Sequence, residues 1–297
     1  MGGVLGEGSF CTVRELVQQN FDDSSPNTKA KPVSLALKQP RNDLSIDDKL
    51  EAEQCVQNES QILSSIQHPN IIKMIGSMKG FDANSIVLEL LQERTLAQKI
   101  VYWNKTSIRT IIFPGRGAGC HYAIPTRKFW KEKTKMLSEV ASAMAYLHSQ
   151  NIILRDLKPE NCGFDKNGRL KVFDFGFATR LDDDKGSIRV GPDRYIFSEP
   201  AGTPRYMAPE MFQNEPYGKA SDVYSFALLA WETLSLQKPY SDCSSFGELE
   251  KVVVNGQRPR LHKKWPQDMK LFITRSWSSN PQTRPSFDQI RRHFDIL

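Results

Sequence analysis

Few cysteines, no long apolar run and no dense block of one charge mark this 297-residue chain, and each absence removes a class of protein. The five cysteines, Cys11, Cys55, Cys120, Cys162 and Cys243, are odd in number, widely spaced and form no Cys-x-x-Cys. That argues against a disulfide framework or a zinc site, and for free thiols in a reducing, cytoplasmic compartment. The longest apolar run, around residues 226–231, is about half of what a membrane span needs, so no membrane insertion is expected. The first residues lack the basic-then-apolar order of a secretory leader. Gly6 stands where a myristoylated Met-Gly start needs Ser or Thr. The net charge of +6 is spread along the chain. Without a dense Lys/Arg run it points to solubility and not to nucleic acid. Apolar and charged fractions are ordinary, and the length suffices for one large domain or two lobes.

What the chain does have is a cluster of acids and amides around a short turn-back. Residues 152–161 read Ile-Ile-Leu-Arg-Asp-Leu-Lys-Pro-Glu-Asn, and residues 171–176 read Lys-Val-Phe-Asp-Phe-Gly. Asp156 and Asn161 share a segment broken by Pro159. Asp174 lies beyond a hairpin that turns through Asp165-Lys166-Asn167-Gly168. Oxygen ligands on Asp174 and Asn161 suit Mg²⁺, which keeps waters and binds one or two carboxylates plus substrate phosphates. Asp156 is then free to orient a nucleophile and accept its proton. The cluster reads as a phosphoryl-transfer site.

Its pattern resembles that of the protein kinases, in which an Arg-Asp is followed by four residues and Asn, and later by Asp-Phe-Gly. Leu154-Arg155-Asp156, Asn161 and Asp174-Phe175-Gly176 match it, with Leu154 in place of a histidine. The resemblance implies a two-lobed α+β fold. Residues 1–91 would form a small antiparallel sheet with one main helix, and residues 92–297 a larger, mostly helical lobe. It also implies a serine/threonine kinase that moves the γ-phosphate of ATP, with Mg²⁺, to Ser or Thr hydroxyls of a protein substrate. The alternative is a pseudokinase, an ATP-binding or scaffolding module without turnover.

The remaining motifs follow in chain order. Residues 4–16 begin as a strand, turn through Gly6 and Gly8 and resume as a strand. Backbone freed of side-chain bulk can approach phosphate oxygens there, although an ordinary hairpin reads the same way. Cys11 occupies the third glycine position of the kinase loop, and the strand starts so near Met1 that a clipped first strand is expected. Residues 18–32 read as a polar surface loop. Residues 33–38 alternate as a half-buried strand ending at Lys38, similar to the kinase strand whose lysine holds the α- and β-phosphates. Ser45, with Asp48 three residues on, starts a helix. Ala52, Cys55, Glu59, Ile62, Leu63 and Ile66 share its inner face up to His68-Pro69. A carboxylate on that apolar face needs a cation. Lys38 is the candidate partner for Glu59, with Glu53 as the alternative acid. Strands are expected at 71–78 and 85–90. By resemblance the second ends at a gatekeeper, Leu88, and a hinge, Glu89-Leu90-Leu91. Backbone groups of Glu89 and Leu91 would bond the adenine edge, with Leu5, Gly6, Gly8, Val13, Ala36 and Lys38 around the nucleotide. Residues 104–126, with the Pro-Gly-Arg-Gly-Ala-Gly run at 114–119, read as a flexible insertion. No strand-to-helix context makes them a second nucleotide loop. Residues 128–149 form an amphipathic helix with Phe129, Met136, Val140, Ala143, Met144 and Leu147 inward.

The resemblance also implies roles. Asp156 is the base, Lys158 steadies the γ-phosphate, Asn161 and Asp174 bind Mg²⁺, and Thr203 contacts Asp156 and Lys158. Glu210 pairs with Arg284, and Asp222 braces the catalytic loop. Lys158 and Thr203 match the serine/threonine version of the kinase loop. The run at 221–226, with the Arg284-Pro285 ending, looks most like the tyrosine-kinase-like group of serine/threonine kinases. Leu154 would keep the packing with Leu63, Met74 and Phe175 but forfeit a hydrogen bond. Gly163 lies where a leucine floors the adenine, leaving that contact to Val13 and Ala36. Arg155 implies an activation segment ordered by an anion, either Glu199 or Ser198 phosphorylated by an upstream kinase or by the chain itself. Ser187, Tyr195 and Asp182-Asp183-Asp184 read as plain loop residues.

Overall fold

The structure is a computed structural model that describes residues 2–18, 33–79, 84–109, 127–181, 187–197 and 201–296. Strands β1 (Val4–Glu7), β2 (Cys11–Gln18) and β3 (Val33–Pro40) precede helix α1 (Ile46–Ser65), and β4 (Met74–Lys79) and β5 (Asn84–Glu89) follow it. They form one antiparallel sheet in the order β1-β2-β3-β5-β4. Period-2 alternation sorts its side chains. Leu35 and Leu37 of β3 join Val87 of β5, with Leu16 against them, on one face, and Ala36, Ile86 and Leu88 face the main core. Helix α1 starts where the Ser45 hydroxyl accepts the Asp48 N–H at 3.2 Å. Its buried stripe is Ala52, Val56, Glu59, Ile62 and Leu63, so Val56 takes the place expected of Cys55, which with Ile66 is only half-buried.

The expected strand at 71–78 is shorter because its first residues pair elsewhere. The Ile72 N–H donates to Val172 O at 2.9 Å and the Val172 N–H to Asn70 O at 2.8 Å, which ties residues 70–72 to the segment leading to Asp174. Helix α2 (Leu96–Arg109) carries regular structure into the section expected to be irregular from residue 104. The glycine run at 114–119 and the loop at 19–32 lie outside the described residues.

Helix α3 (Arg127–Ser149) leads into β6 (Ile152–Ile153), the hairpin β7 (Cys162–Phe164) and β8 (Leu170–Val172), and β9 (Thr179–Arg180), which pairs with β6. The hairpin turns as expected, with Gly168 at φ 72° and Asp165 Oδ1 accepting the Asn167 and Arg169 N–H groups. A second hairpin, β10 (Ser187–Gly191) and β11 (Arg194–Phe197), follows. Then come α4 (Pro209–Phe212), α5 (Lys219–Ser235), α6 (Phe246–Val254), α7 (Gln267–Ser276) and α8 (Phe287–Ile296). Helix α5 is buried from Ser221 through Leu234. A helix apolar nearly all round belongs inside, and the others pack about it. The result is a two-lobed α+β molecule, a sheet lobe and a helical lobe, with the acid cluster between them.

Candidate active site

Three charged groups from three elements meet at the end of the sheet. Lys38 Nζ, on β3, lies 2.5 Å from Glu59 Oε2 of α1 and 2.8 Å from Asp174 Oδ1. The second oxygen of Glu59 accepts the Phe175 N–H at 3.2 Å. The buried carboxylate on the apolar helix face thus finds its cation in Lys38, and Glu53 is not the partner. Burial pulls the Lys38 amine down, but Glu59 and Asp174 outweigh it and hold it above the usual range. Burial, with Asp174 near, pushes Glu59 up against the pull of Lys38. At Asp174 burial again pushes upward, but Lys38, by charge and hydrogen bond, with Lys158 and the Gly176 N–H, together outweigh it and hold the carboxyl below its usual range. One amine against two carboxylates leaves a net negative charge.

Across the cleft, Asp156 is 4% exposed and uses both carboxylate oxygens. Oδ1 accepts the Thr203 N–H at 2.8 Å. Oδ2 takes Lys158 Nζ at 2.7 Å and Asn161 Nδ2 at 3.1 Å. Lys158 Nζ also donates to Thr203 Oγ1 at 2.6 Å, closing a ring of three residues, Asp156, Lys158 and Thr203, to which Asn161 is attached through Asp156. Asn161 Nδ2 further donates to Asp156 O at 3.0 Å, which leaves the amide oxygen uncommitted to Asp156. The Phe173 N–H donates to Asn161 O at 3.0 Å, coupling Asn161 to the segment that carries Asp174. Arg155 and Asp174 both adopt left-handed backbone, at φ 66° and 68°. Such conformations persist only where surroundings enforce them.

The enforcing groups come from the helical lobe. Asp222 of α5, wholly buried, accepts the Leu154 and Arg155 N–H groups at 2.9 Å each. His148 Nε2 lies 2.9 Å from the same carboxylate, a contact the sequence reading missed. Leu154 is fully buried and shares one core with Leu63, Phe175 and the partly buried Met74, so the packing half of the expectation holds. Arg284 grips Glu210 with two bonds of 2.6 and 2.8 Å, both side chains buried. Asn58 of α1, also unforeseen, points its amide nitrogen at Phe175 O, Gly176 O and Ala178 O at 3.3, 2.9 and 2.8 Å.

The rim on the side of the glycine loop is more open. Leu5, Gly6 and Gly8 are exposed, Val13 half-buried and Ala36 buried. The loop closes on itself through the Gly8 N–H to Cys11 O at 2.8 Å. Burial pushes the Cys11 thiol up to about 11, with Lys38 pulling the other way, so at neutral pH it is an uncharged neighbour of that loop. The Glu89 side chain is engaged by Lys171 Nζ and the Lys73 N–H, each at 2.7 Å, and its own N–H donates to Lys73 O at 2.9 Å. Gly163 differs from expectation: a Cβ built there would lie 2.7 Å from Leu91 Cδ1 and 3.2 Å from Phe173 Cε1. Leu91, and not only Val13 and Ala36, fills the space the missing side chain leaves.

The segment after Asp174 also departs from its reading as plain loop. Ser187 and Tyr195 belong to the β10–β11 hairpin, and Tyr195 is buried, exchanging two backbone hydrogen bonds with Tyr217 at 2.9 and 3.0 Å. Ser198, Glu199 and Asp182-Asp183-Asp184 lie outside the described residues, so the expected Arg155–anion contact does too.

With this geometry in view, the similarities of the chain are informative. The family model described as protein kinase domain matches residues 1–294. The chain is 31% identical over 287 residues to dual specificity protein kinase shkB of Dictyostelium discoideum, covering 96% of this chain and 36% of that protein. It is 30% identical over 246 residues to serine/threonine/tyrosine-protein kinase HT1 of Arabidopsis thaliana, covering 80% and 53%. Mitogen-activated protein kinase kinase kinase 13-A of Xenopus laevis is 30% identical over 234 residues, covering 79% and 21%. The chain therefore spans about half or less of the length of these relatives.

Proposed function

Because this chain belongs to the protein kinase family, we propose that it transfers the γ-phosphate of ATP to serine or threonine hydroxyls of a protein substrate, as a member of the tyrosine-kinase-like group. The observation that carries the proposal is the ring of Asp156, Lys158 and Thr203, with Asn161 attached to Asp156, set against Lys38–Glu59–Asp174 across one cleft.

In this reading Asp156 accepts the proton of the attacking hydroxyl, and its two bonded oxygens fix the direction in which it can do so. Lys158, bound to both Asp156 and Thr203, is placed to steady the negative charge on the oxygens of the γ-phosphate as it transfers. Thr203 links this ring to the segment that would hold the peptide. Lys38, kept cationic by its two carboxylates, binds phosphate oxygens and leaves Asp174 free to turn toward a metal. Gly6 and Gly8 offer backbone to the phosphates, and Leu5, Val13, Ala36 and Leu91 enclose the base, with Glu89 and Leu91 backbone at its edge.

The donor set fits Mg²⁺. Asp174 supplies a carboxylate held ionised, Asn161 an amide oxygen free of Asp156, and the Lys38 cluster a net negative charge, which together suit a cation completed by phosphates and water. Bound there, Mg²⁺ would neutralise phosphate charge and align the transferred group. The accompanying control step is an activation-segment anion that meets Arg155, either Glu199 or Ser198 phosphorylated by an upstream kinase or by the chain itself.

The test is phosphate transfer from ATP and Mg²⁺ to a generic protein substrate, comparing wild type with Asp156→Asn. The variant should lose roughly 10²- to 10⁴-fold in rate while still binding ATP. Folded wild type that binds ATP but transfers no phosphate would overturn the proposal in favour of a scaffolding pseudokinase.

A further inference from the structure

The β10–β11 hairpin is fastened to the helical lobe at three points, and the last of them reaches the catalytic loop. At its tip Asp193, in left-handed backbone at φ 51°, lies against Gly218. A Cβ at Gly218 would stand 2.2 Å from Asp193 O, so only glycine lets the tip dock there. In its middle, Tyr195 and Tyr217 exchange the backbone bonds already described. At its end the Phe197 ring lies 4.5 Å from the Tyr217 ring, and on Phe197 rests the Arg155 guanidinium, 4.9 Å from the ring centroid.

Arg155 is the residue before Asp156, and its other contacts are all positional. Its N–H is held by Asp222 and its Nε donates to Phe177 O at 2.7 Å. Its carbonyl lies so close to Gly202 that a Cβ there would be 2.4 Å away. Gly202 precedes Thr203, whose N–H holds Asp156. The guanidinium on Phe197 therefore joins the catalytic loop to both ends of the segment between Asp174 and Thr203.

We propose that Phe197 is a positioning residue, its ring holding Arg155 so that Asp156 and Thr203 keep their relative placement without a phosphate on the segment. The attraction is that of a half-buried guanidinium for the negative face of an aromatic ring. An aliphatic side chain of equal bulk fills the space but has no such face. The proposal rests on the kinase reading for its kinetic consequence and on geometry alone for the contact.

The test uses the full chain after phosphatase treatment, so that no phosphate replaces the ring. Phe197→Leu should lower kcat by roughly 3- to 30-fold, the span of a cation–π contact converted to rate, with KM for ATP unchanged. Phe197→Trp should restore it. In an Arg155→Met background, Phe197→Leu should cost clearly less than it does in wild type, because the contact the two residues share is already gone and only the Phe197–Tyr217 ring contact is left to lose. The Arg155 Nε–H resonance, identified by its loss in Arg155→Met, should sit upfield in wild type and in Phe197→Trp, and move downfield in Phe197→Leu. An unmoved resonance, an unchanged kcat or additive losses overturn the proposal. The resonance reads the contact even in a chain that transfers no phosphate, so failure of the kinase reading is told apart from failure of this one.

Discussion

Asp156 hangs from α5, a helix buried from Ser221 through Leu234, whereas Lys38 hangs from a sheet whose outer apolar cluster is Leu35, Leu37 and Val87, with Leu16 against them. The acid is held by Lys158, Asn161 and the Thr203 N–H, on a loop whose Leu154 and Arg155 N–H groups bond the buried Asp222, and by dense packing. The lysine is fixed by two ion pairs and by a helix that carries only one of the acids. Interiors with many buried contacts open at high free energy, and thinly packed regions at low free energy. One side of the cleft is thus a rigid platform, and the other is located by charge and free to shift with what it binds.

That contrast can be broken from the platform side first. Arg284→Met strands Glu210 as an unpaired buried carboxylate, which should cost about 3–5 kcal/mol in urea unfolding. A loss under ~1 kcal/mol would show that the platform does not depend on this pair. Asp222→Ala leaves the Leu154 and Arg155 N–H groups without their acceptor, at roughly 1–3 kcal/mol each. Phosphate transfer should fall with it, since the catalytic loop loses its left-handed brace.

The platform also has a pH-dependent element. Burial brings Lys133 of α3, which is 0% exposed, down to about 7 from its ordinary 10.5, with Glu132 opposing. Between those values the unfolded chain binds a proton that the folded chain does not. Stability should therefore rise with pH across that window, by at most about 1.4 kcal/mol per pH unit from this group. Lys133→Met should flatten the rise between pH 7 and 9. Equal slopes for variant and wild type would remove Lys133 from the account.

The smallest stability effect belongs to the sheet side. Glu59→Gln keeps the shape and relieves a buried charge while Lys38 retains Asp174. Unfolding free energy should move by less than ~1 kcal/mol while kcat/KM falls. A loss comparable to that of Arg284→Met would erase the distinction between the two sides.

The charged centre was legible because physics leaves such residues few alternatives. A carboxylate on an apolar helix stripe demands a cation, and Glu59 and Lys38 met that demand across 21 residues. Asp156, Asn161 and Asp174 were legible through local spacing. Asn58 was not, because an amide at the edge of a helix stripe reads as solvated, and its three acceptors lie more than 115 residues away. Val56 was displaced from the inner stripe by a small error of phase. The β10–β11 hairpin did leave a signal, Ile188 and Val190 alternating before Gly191-Pro192-Asp193 and Tyr195-Ile196-Phe197 after it. Its short strands lay in a segment judged by its acids. Leu91 moving over Gly163 could not be read from spacing, since it is a response to a missing side chain.

The Asn58 amide has two hydrogens and faces three carbonyl oxygens, so one acceptor is always served second. Phe175 O, at the longest distance, is the natural loser. With two of its three acceptors bonded at any time, the amide pins α1 to the backbone at and after the Asp174-Phe175-Gly176 turn, so a displacement of one is carried to the other.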